Sequence, residues 1–195
     1  MRNIFLSIFA SLLLLSCGGD DGTAPVEKTA SELTEEGWTL YTQKNYTTAI
    51  QRFGEALVKD ANYTDAYNGA GWTSARLDTL PAAVAFFETG LTKDPNGYAM
   101  HSGISFTHNA LKNYSVSNFY AMNVLNADGN WIFSRDASVT SNDLRVLIAQ
   151  NYFGLDKYDS SLIYVQTLDA GFTADVGTLE GRRSLAEKIE ELETE

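Results

Sequence analysis

The only imidazoles in the chain, His101 and His108, are the first candidates for acid–base or metal chemistry. Seven residues apart on one helix, they would lie roughly 10 Å apart along its axis, too far to share a metal ion. Half-buried packing histidines are the simpler reading. No His-Glu-x-x-His pair and no phosphate loop occurs. Gly103-Ile104-Ser105-Phe106-Thr107 lacks the second glycine of a hydrolase nucleophile elbow. Asp128-Gly129-Asn130 opens as a calcium loop does, then runs into Trp131-Ile132-Phe133 where further oxygen ligands are required. An enzyme would need groups such as Asp136, Asp143 and Arg145 to converge, and nothing in the sequence asks for that. Cys17, the single cysteine, can form neither an intramolecular disulfide nor a metal cluster. The expectation is a non-enzymatic chain with no catalytic residue, metal or cofactor.

What does recur is aromatic. Trp38, Trp72 and Phe106 stand 34 residues apart, and the interval extends to whole segments. Residues 33–62 and 67–96 share Gly37/Gly71, Trp38/Trp72, Thr39/Thr73, Ala49/Ala83, Phe53/Phe87, Leu57/Leu91, Lys59/Lys93, Asp60/Asp94 and Asn62/Asn96. Two periods on, Lys44-Asn45-Tyr46 returns as Lys112-Asn113-Tyr114. The elements that carry the aromatics are therefore tandem units.

This period and pattern resemble the tetratricopeptide repeat (TPR), a pair of antiparallel helices that stacks on its neighbours. The family's landmark positions read Gly37, Tyr46, Ala49, Phe53 and Ala56 in the first unit, then Gly71, Leu80, Ala83, Phe87, Gly90 and Pro95 in the second. Ser105, Tyr114, Ser117, Ala121 and Val124 hold the corresponding places in the third. Small residues let paired helices approach, and large aromatics fill the space between units. Pro81 suits a first helical turn and Pro95 a helix end. The resemblance implies an all-α, right-handed α-α superhelix of about four helix pairs, with repeats at 30–62, 64–96, 98–128 and 141–170.

The fourth unit follows an insertion, residues 127–140, whose Trp131-Ile132-Phe133 reads most simply as a hydrophobic loop tucked over the repeats. Leu144, Leu147, Ile148 and Tyr152 form one apolar helical face of that unit, and Leu162, Val165 and Leu168 the other. Residues 178–195 form an amphipathic helix with Leu179, Leu185, Ile189 and Leu192 on its apolar side, suited to capping the last open core.

By the same resemblance, certain side chains of each first helix face the inner curve. They give one column of Trp38, Trp72, Phe106 and Gln150 and a second of Tyr41, Ala75, Asn109 and Phe153. With Asn68, Arg76 and Ser102 as hydrogen-bonding neighbours, these residues form a candidate ligand-binding groove. Aromatic rings anchor peptides or sugar rings with little entropy loss. Two readings of them stand: groove anchors, or packing residues covered by the insertion with Trp131 closing over them. The groove lacks the basic cluster with which family members hold acidic C-terminal tails, so a neutral, basic or glycan ligand is favoured.

At the N-terminus, Met1-Arg2-Asn3 is followed by an apolar run to Leu15 and then Ser16-Cys17. About a dozen apolar residues fall short of the roughly 20 that a spanning helix needs, so residues 1–16 read as a cleaved secretory signal. The segment resembles bacterial lipoprotein signals, which implies lipidation at Cys17. Several acyl chains, each contributing about 0.8 kcal/mol per buried CH₂, anchor stably. Residues 17–29 would then be a polar, flexible tether to a helical domain at 30–195. Gly18 after the cysteine favours the outer membrane on the same resemblance, while Asp20-Asp21 resembles acidic tracts of surface-sorted lipoproteins, so periplasmic face and cell surface both stay open. Acidic residues number 25 against 14 basic ones, and loss of Arg2 with the signal takes the net charge from −11 to −12. That balance argues against nucleic acid, whose binding rests on neutralising phosphates.

The sequence thus leads to a lipid-anchored cell-envelope scaffold that binds another envelope protein or peptide, with a carbohydrate-binding lipoprotein as the alternative. Cys17→Ala is expected to move the chain from the membrane to the soluble fraction on cell fractionation. A cleaved variant that stays membrane-bound in the absence of partners would contradict the anchor.

Overall fold

The computed structural model describes residues 27–194, so Cys17 and the signal lie outside the described residues. Within them the chain forms nine helices: α1 (Ala30–Thr42), α2 (Tyr46–Lys59), α3 (Thr64–Arg76), α4 (Leu80–Lys93), α5 (Tyr98–Ala110), α6 (Tyr114–Ala127), α7 (Ser141–Gly154), α8 (Tyr158–Leu168) and α9 (Leu179–Glu193). The first eight pair as α1/α2, α3/α4, α5/α6 and α7/α8, and each pair packs on the next. This is the all-α TPR-type solenoid that the repeat implied. The odd-numbered helices α1, α3, α5 and α7 also touch one another across the stack, whereas no such contact links the even-numbered ones among the described residues. The odd helices therefore form the inner layer. No helix of the described residues is long and apolar enough to cross a membrane.

Phenylalanine and glycine set the spacing of the layers. The ring of Phe53 on α2 sits between α1 and α3, and a Cβ added at Gly37 or Gly69 would come within 2.6 or 2.2 Å of it. One repeat later Phe87 sits in the same way against Gly71 and Gly103, at 2.5 and 2.3 Å. In the third unit the ring position is Ala121 and the facing position on α7 is Leu147, both buried in one cluster. Volume lost from one helix is restored from its neighbour, which keeps the interior close-packed.

Each helix pair turns on a single left-handed residue, and none of the four is glycine: Lys44, Asp78, Lys112 and Asp156 have φ of 57–60°. The flanking hydrogen bonds are the same each time. In the first, Lys44 N–H donates to Tyr41 O and Asn45 N–H to Leu40 O, both at 2.9 Å, the pattern that satisfies the last carbonyls of a helix. The helix starts are capped more variably. Thr29 closes a reciprocal capping box with Glu32 on α1, as Thr140 does with Asp143 on α7. Thr29 thus caps the first helix, and Glu27, two residues before it, pairs with Lys59 at 2.5 Å.

At the far end α9 packs on α7 and α8, burying Leu185 and Ile189 against Val146, Ala149 and Val165. Leu179, expected on that apolar side, is exposed because it occupies the first helical position, before the face of α9 meets α7.

Gly69→Ala is expected to lower stability by about 1–3 kcal/mol through overpacking against Phe53. Thermal or urea unfolding would measure it. Combination with Phe53→Leu should recover part of the loss, since contacting residues couple non-additively; strict additivity would contradict the close-approach account.

Candidate interaction site on the inner face

Glycines at 37 and 71 place the next residue of α1 and α3, a tryptophan in each, on the inner layer. Trp38 and Trp72 leave only 3% and 5% of their surface exposed. Their indole N–H groups are satisfied at equivalent places, Trp38 Nε1 by Asp65 Oδ2 at 3.1 Å and Trp72 Nε1 by the carbonyl of Ala99 at 3.2 Å. Tyr41 meets Trp38 edge-on at 5.4 Å, and Phe106 lies tilted 6.2 Å from Trp72. The result is an aromatic trough across α1, α3 and α5.

The insertion fills that trough as a strap, residues 128–140. Phe133, 1% exposed, is stacked on Trp72 at 4.8 Å and meets Trp38 edge-on at 5.8 Å. Trp131 stacks on the outer side of Phe133 at 6.1 Å. Two residues beyond Phe133, Arg135 donates to both carboxylate oxygens of Glu35 at 2.8 and 2.7 Å and to Asp65 Oδ2 at 2.6 Å. Its guanidinium also lies 5.3 Å from the Trp38 ring centre, in cation–π contact. These hydrogen bonds hold Glu35 below the usual glutamate range and push Arg135 further above its own. Arg76 ties the strap from the other side, with Nε donating to the Tyr41 hydroxyl at 3.1 Å and Nη2 lying 3.6 Å from Asp136 Oδ2. Burial pushes the Tyr41 hydroxyl upward, so it stays a neutral partner.

The structure therefore brings together Trp38, Tyr41, Trp72, Arg76 and Phe106 of the residues read from the sequence. It covers the two indoles with the strap, the packed arrangement that stood as the other reading of these aromatics. The remaining candidates go elsewhere. Asn68 is buried, with Nδ2 3.4 Å from Asp65 Oδ1, and Ser102 donates within its own helix to Ala99 O. Asn109 donates at 2.8 Å to Asn151, a fully buried residue that also donates to Ser117 and Asn118. Gln150 is half-buried on α7, and Phe153 packs edge-on against Tyr158 in the separate core under α9. His101 and His108 are packing residues: His101 Nε2 lies 2.9 Å from the carbonyl of Pro95, and the His108 ring stacks on Tyr120 at 6.1 Å. No group of three metal-ligating side chains occurs among the described residues.

Sequence reasoning missed Arg135, Glu35 and Asp65. Arg135 and Glu35 are 100 residues apart and share no repeat position. The only available signal was the apolar triplet Trp131-Ile132-Phe133 just before Arg135.

Beside the strap the inner face stays open as a cleft of about 310 Å³. Trp72, Ala75, Leu80, Phe106, Ala110 and Val139 line it, with Arg76 and Asp143 at its edges. Thr107 also lines it; Asp143 is held in the α7 capping box and Arg76 by Tyr41 and Asp136, so the cleft has apolar walls with one anchored charge of each sign.

No protein-family model matches the sequence, nor does any curated protein. Solved structures do match in fold. The chain is similar to MamA, with a TM-score of 0.61 at 12% identity over 83% of this chain and 81% of that one. It is similar to PilW, described as a widely conserved type IV pilus biogenesis factor, with a TM-score of 0.61 at 19% identity over 81% and 67%. It is also similar to the first TPR of Spaghetti bound to the HSP90 peptide SRMEEVD, with a TM-score of 0.53 at 19% identity over 60% and 89%. These likenesses establish the TPR-type fold.

Phe133→Ala is expected to destabilise the chain by about 3 kcal/mol and to shift tryptophan emission to longer wavelength as Trp72 gains water. Urea unfolding followed by fluorescence reads both, and an unshifted emission maximum would show that the strap does not shield the indoles.

Proposed function

We propose that this chain is a lipid-anchored scaffold of the cell envelope, tethered through Cys17 and binding a segment of another envelope protein on the inner face of its solenoid. The observation that carries the reading is the cleft of about 310 Å³ between α3, α5 and the strap, with apolar walls from Phe106, Leu80 and Val139. A cleft with aromatic and aliphatic walls, a guanidinium and a carboxylate suits an extended peptide that inserts an apolar side chain and turns polar groups outward. The Spaghetti structure, with its HSP90 peptide, is a precedent for peptide binding on this fold. That peptide is acidic. With Arg76 already engaged by Tyr41 and Asp136, and 25 acidic residues in this chain, a neutral or basic segment is the better match.

With the strap seated, Phe133 occupies the face of Trp72 on which a sugar ring would stack, which favours the peptide reading over the carbohydrate one. Gly18 after the cysteine supports the outer membrane as the location in this reading, with periplasmic face and cell surface both open.

Ala110→Glu places a charge in the cleft at an exposed lining position, where folding should tolerate it. Cross-linking and affinity capture from native membranes should then lose a partner that the unsubstituted chain recovers. Equal recovery by the folded variant would sink the cleft assignment.

A further inference from the structure

The strap meets α1, α3 and α5 through side chains alone among the described residues, its one side-chain bond to strap backbone from a repeat helix coming from Arg145 of flanking α7 to Gly129 O at 2.6 Å. Its backbone hydrogen bonds close on itself or on its flanking helices, as in Phe133 N–H to Val139 O at 2.9 Å and Ser141 N–H to Trp131 O at 2.8 Å. No backbone bond to α1, α3 or α5 has to break for it to lift. What it presents to the two indoles is one aromatic ring and, two residues on, one guanidinium, with Asp136 facing Arg76 and Val139 buried in the same cluster beside them. What receives them is a pair of indoles and a pair of carboxylates, Glu35 and Asp65. Nothing in this reception depends on covalent connection to the strap.

We propose that the strap is a ligand held in cis. The trough of Trp38 and Trp72 with Glu35 and Asp65 is a second docking site, for a partner segment that carries an aromatic residue and an arginine two positions later within a tight turn, and Phe133-Ser134-Arg135 occupies it in the resting chain. The inference rests on reading the inner face as a protein-binding surface, and it assigns that surface a recognition chemistry. A turn closed by Asp136 N–H donating to Phe133 O at 3.2 Å brings the ring and the guanidinium together against Trp38, and an acidic chain of net charge −11 favours such a basic partner. Arg135 is matched in the way an incoming arginine would be, by a two-pronged bond to one carboxylate and a flat contact with an indole.

The test titrates a fluorescein-labelled peptide of residues 130–138 into the lipidated full chain in detergent. The chain with its own strap should bind weakly. Phe133→Ala/Arg135→Ala, whose strap cannot hold the trough, should bind at least tenfold more tightly. Arg135→Gln, which leaves the aromatic core intact and guards against misfolding, should give an intermediate gain. A peptide with glutamate in place of the arginine should show no gain. Equal affinity for all three chains, or a gain that survives the charge reversal, overturns the proposal. So does an unsubstituted chain that sediments as a dimer and dissociates on Arg135→Gln, since the trough would then take the strap of a second copy. Loss of the peptide gain while partner capture remains sensitive to Ala110→Glu removes this assignment alone. Capture insensitive to Ala110→Glu removes the cleft reading, and the peptide titration still decides the trough.

Discussion

A phenyl ring pressed between two glycines fixes this molecule. Phe53 and Phe87 can lie where they do only because Gly37, Gly69, Gly71 and Gly103 present no side chain. Glycine inside a helix costs about 1 kcal/mol relative to alanine, so four such positions in α1, α3 and α5 form a cost that burial of the rings must offset. The return is positional. Close approach of the odd helices brings Trp38 and Trp72 side by side, near enough for one ring, Phe133, to contact both. Helices held further apart by ordinary side chains would separate the indoles, and no single side chain of the strap could bridge them.

The strap shows which of its two kinds of contact holds it. Glu35 is 57% exposed and Arg135 29%, so their ion pair contributes modestly, in the range of about 0–1 kcal/mol typical of exposed pairs. Phe133 is 1% exposed, and removing a buried phenylalanine side chain costs about 3–5 kcal/mol. The ring therefore supplies most of the hold and the guanidinium sets the register, which the forked bond to Glu35 and the shared bond to Asp65 define in direction. Specificity and strength reside in different residues.

The repeat was legible because its cause is local and periodic: glycine, the ring position and the small residues recur at one interval, and the stacked helix pairs follow from them. The insertion was legible in outline for a similar reason, since Trp131-Ile132-Phe133 is too apolar to stay in water. The turns were not. Lys44, Asp78, Lys112 and Asp156 adopt the left-handed conformation that glycine normally signals, and here the hydrogen bonds of the turn impose it on residues that carry no such mark. The candidate groove was half legible. Its columns named Trp38, Trp72 and Phe106, which pack in one cluster, yet Asn109 and Phe153, in the same columns, turn to internal partners. The reason is the insertion: it interrupts the period after the third unit, and the fourth unit's aromatics build a separate core with α9. Long-range pairs such as Arg135 with Glu35 follow from the folded strap and leave no periodic trace.

A trough filled in cis has a thermodynamic consequence for any segment that enters in trans. If lifting the strap costs about 3 kcal/mol, the figure for exposing one buried phenylalanine, the open form is roughly one part in a hundred or fewer. The apparent affinity of an incoming segment then falls by the same factor. A soluble scaffold would be handicapped by that loss. A tether changes the balance, because confining scaffold and partner to one membrane raises their effective concentration, and avidity gains of 10²–10⁴ arise without new contacts. On the proposed reading, the strap suppresses binding to stray aromatic–basic segments while a co-anchored partner still competes it off. Anchor and strap would then act as two halves of one discrimination, the first raising local concentration and the second setting how much concentration is required.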